Sequence, residues 1–274
     1  MEPYWRSGDG RHVLYKGDSL EVLRKFADKS IDCVVTDPPY GHNNNNNGDL
    51  IQRREEALGK GPAREARAIP NDGIEANEIF QSVLPELYRI LKPGCCCCCC
   101  CGGGGPDPQF ARWSLWMDDV FRFKQMVVWD KGPMGMGWHY RRSYETVLVG
   151  ERPGAACQWY GGNNKENIIR PGQYGINKII PQKNQHPCAK PVELYQHFIL
   201  LHTPNDAVVL DPFSGESPAG IACIRNGRRF VGIEISEEYC RNAVVRMEAE
   251  LSQPMLPFEE TFPQESQSMM FDSP

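Results

Sequence analysis

Two aspartates, each set behind an apolar run and followed by proline, mark where this sequence could do chemistry. The first lies in Thr36-Asp37-Pro38-Pro39-Tyr40, directly after Ile31-Asp32-Cys33-Val34-Val35. Neither proline has an N–H to give a strand ladder, and each drives the residue before it out of helical geometry. The corner is therefore rigid and extended, and it presents one acceptor carboxylate and one aromatic ring. The second is Asp211-Pro212-Phe213-Ser214-Gly215, followed by a further run ending in Gly232-Ile233-Glu234. A glycine turn lets the backbone approach a ligand closely, and an acid at the next strand's end can take ribose hydroxyls. No Gly-Lys-Ser/Thr follows, which disfavours a phosphate-binding loop.

Elements must carry these residues to one place. The three β-branched residues of Ile31–Val35 suit a strand buried on both faces, and in open α/β sheets ligands bind at the carboxyl ends of such strands. The chain in order reads as a strand over 13–16, a helix over 20–26 capped by Asp18 or Ser19, the 31–35 strand, and a helix over 78–91 stopped by Lys92-Pro93-Gly94. A strand through Cys95–Cys101, a helix over 108–120, and strands over 125–129 and 145–149 follow. The last part reads as a helix over 192–201, a strand over 207–210, a helix over 219–226, a strand over 229–233 and a helix over 237–251. Strands alternating with helices predict an α/β fold with a mixed sheet and helices on both faces.

The bulk numbers narrow the class. A chain of 274 residues can bury a full core, and its formal charge of −5 excludes a global basic footprint for nucleic acid, so such a site must be local. No apolar run approaches the ~20 residues of a membrane span, and no secretory signal core opens the chain, so a cytoplasmic protein with no membrane partner is expected. Seven of the twelve cysteines are consecutive, Cys95 to Cys101. Adjacent residues of a strand point to opposite faces, so the run reads as small buried side chains, and no metal site is expected.

Three segments stand apart. Residues 41–76, with five consecutive asparagines, show no apolar periodicity and read as a mobile insertion. Across 131–185 eight Lys/Arg (131, 141, 142, 152, 165, 170, 178, 183) face three Glu (145, 151, 166), interleaved with Trp138, Tyr140, Trp159 and Tyr174. That local surplus makes Lys131, Arg141 and Arg142 candidate DNA contacts and 150–185 a candidate target-recognition segment. Residues 253–274 read as a disordered tail, leaving one domain over 1–252.

A site with a glycine turn and a strand-end acid holds a nucleoside without needing a pyrophosphate, a description that S-adenosylmethionine fits. With that, the whole set of motifs resembles the amino-methylating DNA methyltransferases, in the permuted form whose catalytic motif precedes the cofactor motif. Thr36-Asp37-Pro38-Pro39-Tyr40 is similar to the family's D-P-P-Y. His186-Pro187-Cys188-Ala189-Lys190-Pro191-Val192-Glu193-Leu194 resembles H-P-x-x-K-P-x-x-L, and Asp211 to Gly215 with Gly232-Ile233-Glu234 resembles D-P-F-x-G and G-x-E. Gly17-Asp18, Trp129-Asp130-Lys131 and Glu145 also fall where the family's pattern has similar residues, so the likeness runs from about residue 13 to 245.

The resemblance implies a Rossmann-like S-adenosylmethionine-dependent methyltransferase fold of seven-stranded type. It implies that Asp37 and the Pro38 carbonyl accept from the target's exocyclic amino group, and that Pro39 and Tyr40 complete the corner, with Tyr40 stacking on a base taken out of the duplex. It gives the cofactor Asp18 at the adenine end, Glu234 at the ribose, Asp211, Phe213, Ser214 and Gly215 at the turn, and Lys190 at the methionine end. Double-stranded DNA is the implied partner, and a second copy or a cognate restriction nuclease is admitted. Aspartate in the first motif position favours adenine-N6 over cytosine-N4. One departure stands out: the family's D-P-F-x-G-S-G-T is here Asp211-Pro212-Phe213-Ser214-Gly215-Glu216-Ser217-Pro218, so Ser217 replaces the second glycine. A cytosine-N4 enzyme, or a catalytically silent protein that binds DNA or cofactor, are the alternatives.

Overall fold

The computed structural model describes residues 1–40, 75–101, 109–133, 143–177 and 190–253. The elements, in chain order, are β1 (Trp5–Arg6), β2 (His12–Lys16), α1 (Ser19–Leu23), β3 (Ile31–Thr36), α2 (Ala76–Ile90), β4 (Leu91–Cys101), α3 (Gln109–Val120), β5 (Arg122–Asp130), β6 (Tyr144–Glu151) and β7 (Ile168–Ile169). A 3₁₀ turn (Gln173–Gly175), α4 (Val192–His202), β8 (Val208–Asp211), α5 (Pro218–Arg225), β9 (Arg229–Glu234) and α6 (Glu237–Leu251) complete the described chain.

One sheet runs in the order β1-β2-β9-β8-β3-β4-β6-β5-β7. Strands β2, β9, β8, β3 and β4 are parallel, whereas β6 pairs antiparallel with both β4 and β5. The sheet is mixed, as expected, but counts nine strands among the described residues rather than seven. The two extra strands, β1 and β7, are two-residue edges. Because β6 runs backwards, its first residues reach the sheet edge where the parallel strands end: Thr146 lies opposite Cys101. That inversion delivers Glu145 to the same edge as Asp37, Asp211 and Glu234.

Helices cover both faces. One face packs α4, α5 and α6 on Leu14, Val35, Val209 and Phe230, while the other packs α1, α2 and α3 on Val34, Leu210 and Ile233. The cysteine strand obeys the period-2 rule: Cys96, Cys98 and Cys100 face the first layer, and Cys95, Cys97, Cys99 and Cys101 the second. Every thiol of the run is buried, and no metal-capable cluster occurs among the described residues. No helix among them is long and apolar enough to cross a membrane.

The helix ends at Ile90, at the stop expected from Lys92-Pro93-Gly94, and those three residues also form a bulge inside β4. Ile31 pairs with Leu91 and Cys33 with Cys96, so extra residues are accommodated in β4 between the two pairs. Gly94 sits at φ +80, and a Cβ there would lie 2.3 Å from the Ala156 carbonyl oxygen, which excludes other residues. Arg152 explains how α2 can end so abruptly: its Nη1 donates to the carbonyls of Tyr88, Arg89 and Leu91 at 2.7, 2.7 and 2.5 Å. The insertion expected over 41–76 falls almost wholly outside the described residues, as does the tail beyond 253. Of 150–185, the described part carries the end of β6, β7 and the 3₁₀ turn.

Candidate active site

Asp37 follows the last residue of β3 and is held from two sides. The Tyr40 hydroxyl donates to Oδ1, and Lys190 Nζ donates to Oδ2 at 2.8 Å. Lys190 enters just ahead of α4, and its side chain is only 5% exposed. The same ammonium lies 3.2 Å from Glu145 Oε2 and 4.9 Å from the Tyr40 ring centroid. Glu145 in turn receives Lys131 Nζ at 2.5 Å on Oε1. The cluster is an alternating chain of charge, Asp37–Lys190–Glu145–Lys131.

Burial decides the protonation of this cluster together with the alternation. Burial raises the Asp37 pKa, Lys190 opposes it, and Glu145 adds to the rise. For Lys190 burial works against the charge, yet Asp37 and Glu145 outweigh it and hold the pKa well above the ordinary lysine value. Burial likewise disfavours the Glu145 carboxylate, but Lys190 and Lys131 bring its pKa down to about 2. The Tyr40 ring meets Trp113 edge-on at 6.2 Å, and Trp113 stacks on Phe80 at 4.0 Å. Burial lifts the Tyr40 phenol well above its ordinary pKa, so it stays a neutral donor.

One strand away lies the turn after β8. Thr36 Oγ1 donates to Asp211 Oδ1 at 2.6 Å, which ties the last residue of β3 to the last residue of β8. Asp211 is fully buried, its Oδ2 has no hydrogen-bond partner among the described residues, and burial pushes its pKa up to about 7. An orphaned, buried acceptor of this kind calls for a cationic or donor ligand. Glu234, at the end of β9, accepts from Gly215 N–H at 2.8 Å and from Ser236 N–H at 2.7 Å. Gly215 has φ +50, and nothing lies within 4 Å of where its Cβ would stand. The Ser214 and Ser217 hydroxyls meet at 2.6 Å, and Phe213 N–H donates to Asp211 Oδ1 at 3.1 Å. Ser19 Oγ donates to the Pro212 carbonyl at 2.5 Å, so the start of α1 is pinned to this turn. An open glycine, a strand-end acid and an unpartnered buried carboxylate are donor and acceptor sets that fit a nucleoside bearing an ammonium group.

The structure thus brings together Asp37, Tyr40, Asp211, Phe213, Ser214, Gly215 and Glu234 along one edge. Lys190, expected at the methionine end, is paired with Asp37, and the charge of Lys131 is met by Glu145. Asp18 accepts from Glu21 N–H at 3.1 Å as the N-cap of α1. Arg141 and Arg142 lie outside the described residues, as do His186 to Ala189, Trp138 and Tyr140. The basic surplus over 131–185 is partly consumed inside the fold: Arg152 caps α2, and Arg170 pairs with Glu166. Trp159 packs edge-on against His202 of α4 at 5.3 Å. Glu145, which the sequence offered as a strand start within the family likeness and not as a site residue, is the residue that links the two lysines.

The DNA adenine methyltransferase YhdJ of Escherichia coli K12 is 26% identical, over 89% of this chain and 85% of that protein. The PvuII DNA methyltransferase, described as cytosine-N4-specific, superposes with a TM-score of 0.65 at 19% identity, covering 89% of this chain and 88% of that one. The M1.HpyAVI–SAM complex superposes with a TM-score of 0.60 at 21% identity, covering 86% and 99%. Residues 31–245 match the N6/N4 family of DNA methylases, and this chain belongs to it.

Proposed function

We propose that this protein methylates the exocyclic N6 of adenine in double-stranded DNA with S-adenosylmethionine as donor. The observation that carries the reading is the Thr36–Asp211 hydrogen bond, which sets the acceptor corner directly beside the glycine turn. Bound S-adenosylmethionine supplies an electrophilic methyl group on a sulfonium. The protein's part is to hold and orient. Asp37 and the Pro38 carbonyl accept the two amino hydrogens of the base, which draws the nitrogen toward tetrahedral geometry and frees its lone pair. Pro39 keeps the corner extended, and Tyr40 leaves Asp37 to stack on the flipped base. Glu234 takes ribose hydroxyls, Asp18 lies toward the adenine end, Asp211 takes the ammonium, and Phe213 to Gly215 line the turn. Lys190 serves Asp37 by balancing its charge, and Arg141 and Arg142 meet the DNA backbone. Residues 1–252 act as one domain.

The likeness to a cytosine-N4-specific enzyme supports a second reading, in which the same acceptors hold the cytosine amino group. Transfer of labelled methyl to unmethylated genomic DNA, with Asp37→Ala in parallel, tests both. Label recovered as N6-methyladenine and lost in the variant is the expected result. Label in N4-methylcytosine selects the second reading. Cofactor binding with no transfer to either base leaves a silent binding protein.

A further inference from the structure

We infer that α6 is a working part of the cofactor turn: Asn242 and Arg246 are positioning residues that hold Gly215-Glu216-Ser217 open, replacing the conformational freedom that a second glycine would give. The inference rests on the reading of this turn as the S-adenosylmethionine site. Ser217 is fully buried and adopts φ +55, ψ +50, a left-handed conformation that an L residue with a Cβ disfavours. It stands as N-cap of α5 without a side-chain capping bond, and Pro218 follows it, which narrows its backbone further. Gly215, two residues earlier, is also left-handed. Two such residues in three strain the turn; within it Ser217 N–H donates to the Ser214 carbonyl at 2.7 Å and the two serine hydroxyls meet, and a further hold acts on it from outside.

The hold comes from the neighbouring helix. Glu216 is only 6% exposed. Its Oε1 accepts from Asn242 Nδ2 at 3.0 Å, and its Oε2 lies 3.6 Å from Arg246 Nη1. Arg246 Nη1 also donates to the Glu216 backbone carbonyl at 2.8 Å, so the clasp grips main chain as well as side chain. Asn242 and Arg246 are one helical turn apart and share a face of α6. The helix is itself anchored at the site, because Glu234 accepts the Ser236 N–H at the α6 N-cap. The residue that breaks the family pattern at 216 and the residue that breaks it at 217 are therefore one device. Glu216 gives α6 something to grip, and the grip stabilises the backbone that Ser217 needs.

The test measures S-adenosylmethionine binding by calorimetry on the full chain, together with amide hydrogen exchange of residues 215–217 in the cofactor-free protein. Arg246→Ala is expected to weaken binding about tenfold, ~1.4 kcal/mol, and to speed exchange at the turn; Asn242→Ala does the same to a smaller degree. In Ser217→Gly the turn holds φ +55 unaided, so adding Arg246→Ala to it is expected to cost less than about threefold. Unchanged exchange and affinity in Arg246→Ala, or an undiminished loss in the Ser217→Gly background, overturns the inference. If the wild type binds no S-adenosylmethionine while the exchange pattern holds, the clasp stands and the cofactor reading falls. Melting curves on each variant separate loss of the clasp from loss of the fold.

Discussion

Lys190 Nζ stands 2.8 Å from Asp37 Oδ2, a contact between residues 153 positions apart. Burial raises the Asp37 pKa, and this ammonium is the main counterweight that favours the ionised, accepting form. Lys190→Met removes the counterweight, so Asp37 takes a proton at higher pH and the acid limb of the methyl-transfer profile moves up. Glu145→Gln acts the other way, because the Glu145 charge helps to raise Asp37; the acid limb moves down. Rates lowered without movement of either limb would falsify the electrostatic coupling.

Tyr40 donates its hydroxyl to Asp37, and in the proposed function it leaves that bond to stack its ring on the base. Tyr40→Phe keeps the ring and is expected to retain transfer to within about tenfold, the scale of a hydrogen bond to a charged group. Tyr40→Ala loses a stacking platform of about 1–3 kcal/mol. Fluorescence of 2-aminopurine at the target position checks this: Tyr40→Phe quenches the flipped base and Tyr40→Ala leaves it bright. Equal fluorescence in both removes the stacking role.

With Asp211 in its proposed role at the cofactor's ammonium, cofactor binding is expected to be proton-linked. Its pKa rises from 3.8 to about 7 by burial, so near pH 6 the cofactor-free carboxyl is largely protonated. A cationic ammonium at Oδ2 favours the ionised form, hence binding releases a proton and affinity climbs with pH until about 7, then levels. Calorimetry in two buffers of different ionisation enthalpy reads the released proton. The same shift bears on stability: a pKa raised in the folded state contributes stability below the unfolded value that is lost as pH rises through about 7. Melting temperature in Asp211→Asn is expected to gain on the wild type above that pH and not below about 4.

Trp113 is fully buried, stacked on Phe80, and its Nε1 donates to Asn77 Oδ1 at 2.8 Å. Trp113→Ala is expected to cost about 3–5 kcal/mol in urea unfolding, and it also removes the ring against which Tyr40 rests. Trp113→Phe keeps most of the stack and should cost far less. A small loss in Trp113→Ala would mean that the helices α2 and α3 close over the gap.

Much of this architecture is written locally. The runs before Asp37, Asp211 and Glu234 are long enough in apolar residues to read as strands, and α6 has the bounds read from the sequence, 237–251. What could not be read depends on tertiary placement. Glu145 joins the site only because β6 runs antiparallel and turns its first residues toward the edge where its neighbours end. Lys92-Pro93-Gly94 ends the helix as its local signals say, but that the same residues already belong to β4 as a bulge, with Gly94 against Ala156, is set by packing. A count of basic residues cannot tell Arg152, spent on three helix carbonyls, from an arginine facing solvent. The serine at 217 was visible as a departure; its left-handed backbone and the helix that supports it were not.

Seven identical side chains in β4 have a consequence for how that strand finds its place. Register is ordinarily specified by which residues suit which face, but a homopolymer looks the same after any slip, so the run carries no alignment information of its own. Alignment must come from its borders: Gly94 N–H donates to the Arg152 carbonyl and Arg152 N–H to the Cys95 carbonyl at one end, and Thr146 Oγ1 donates to the Cys101 carbonyl at the other. This interior strand of the sheet is thus positioned by its neighbours, and a substitution at Gly94 or Thr146 would free it to slide.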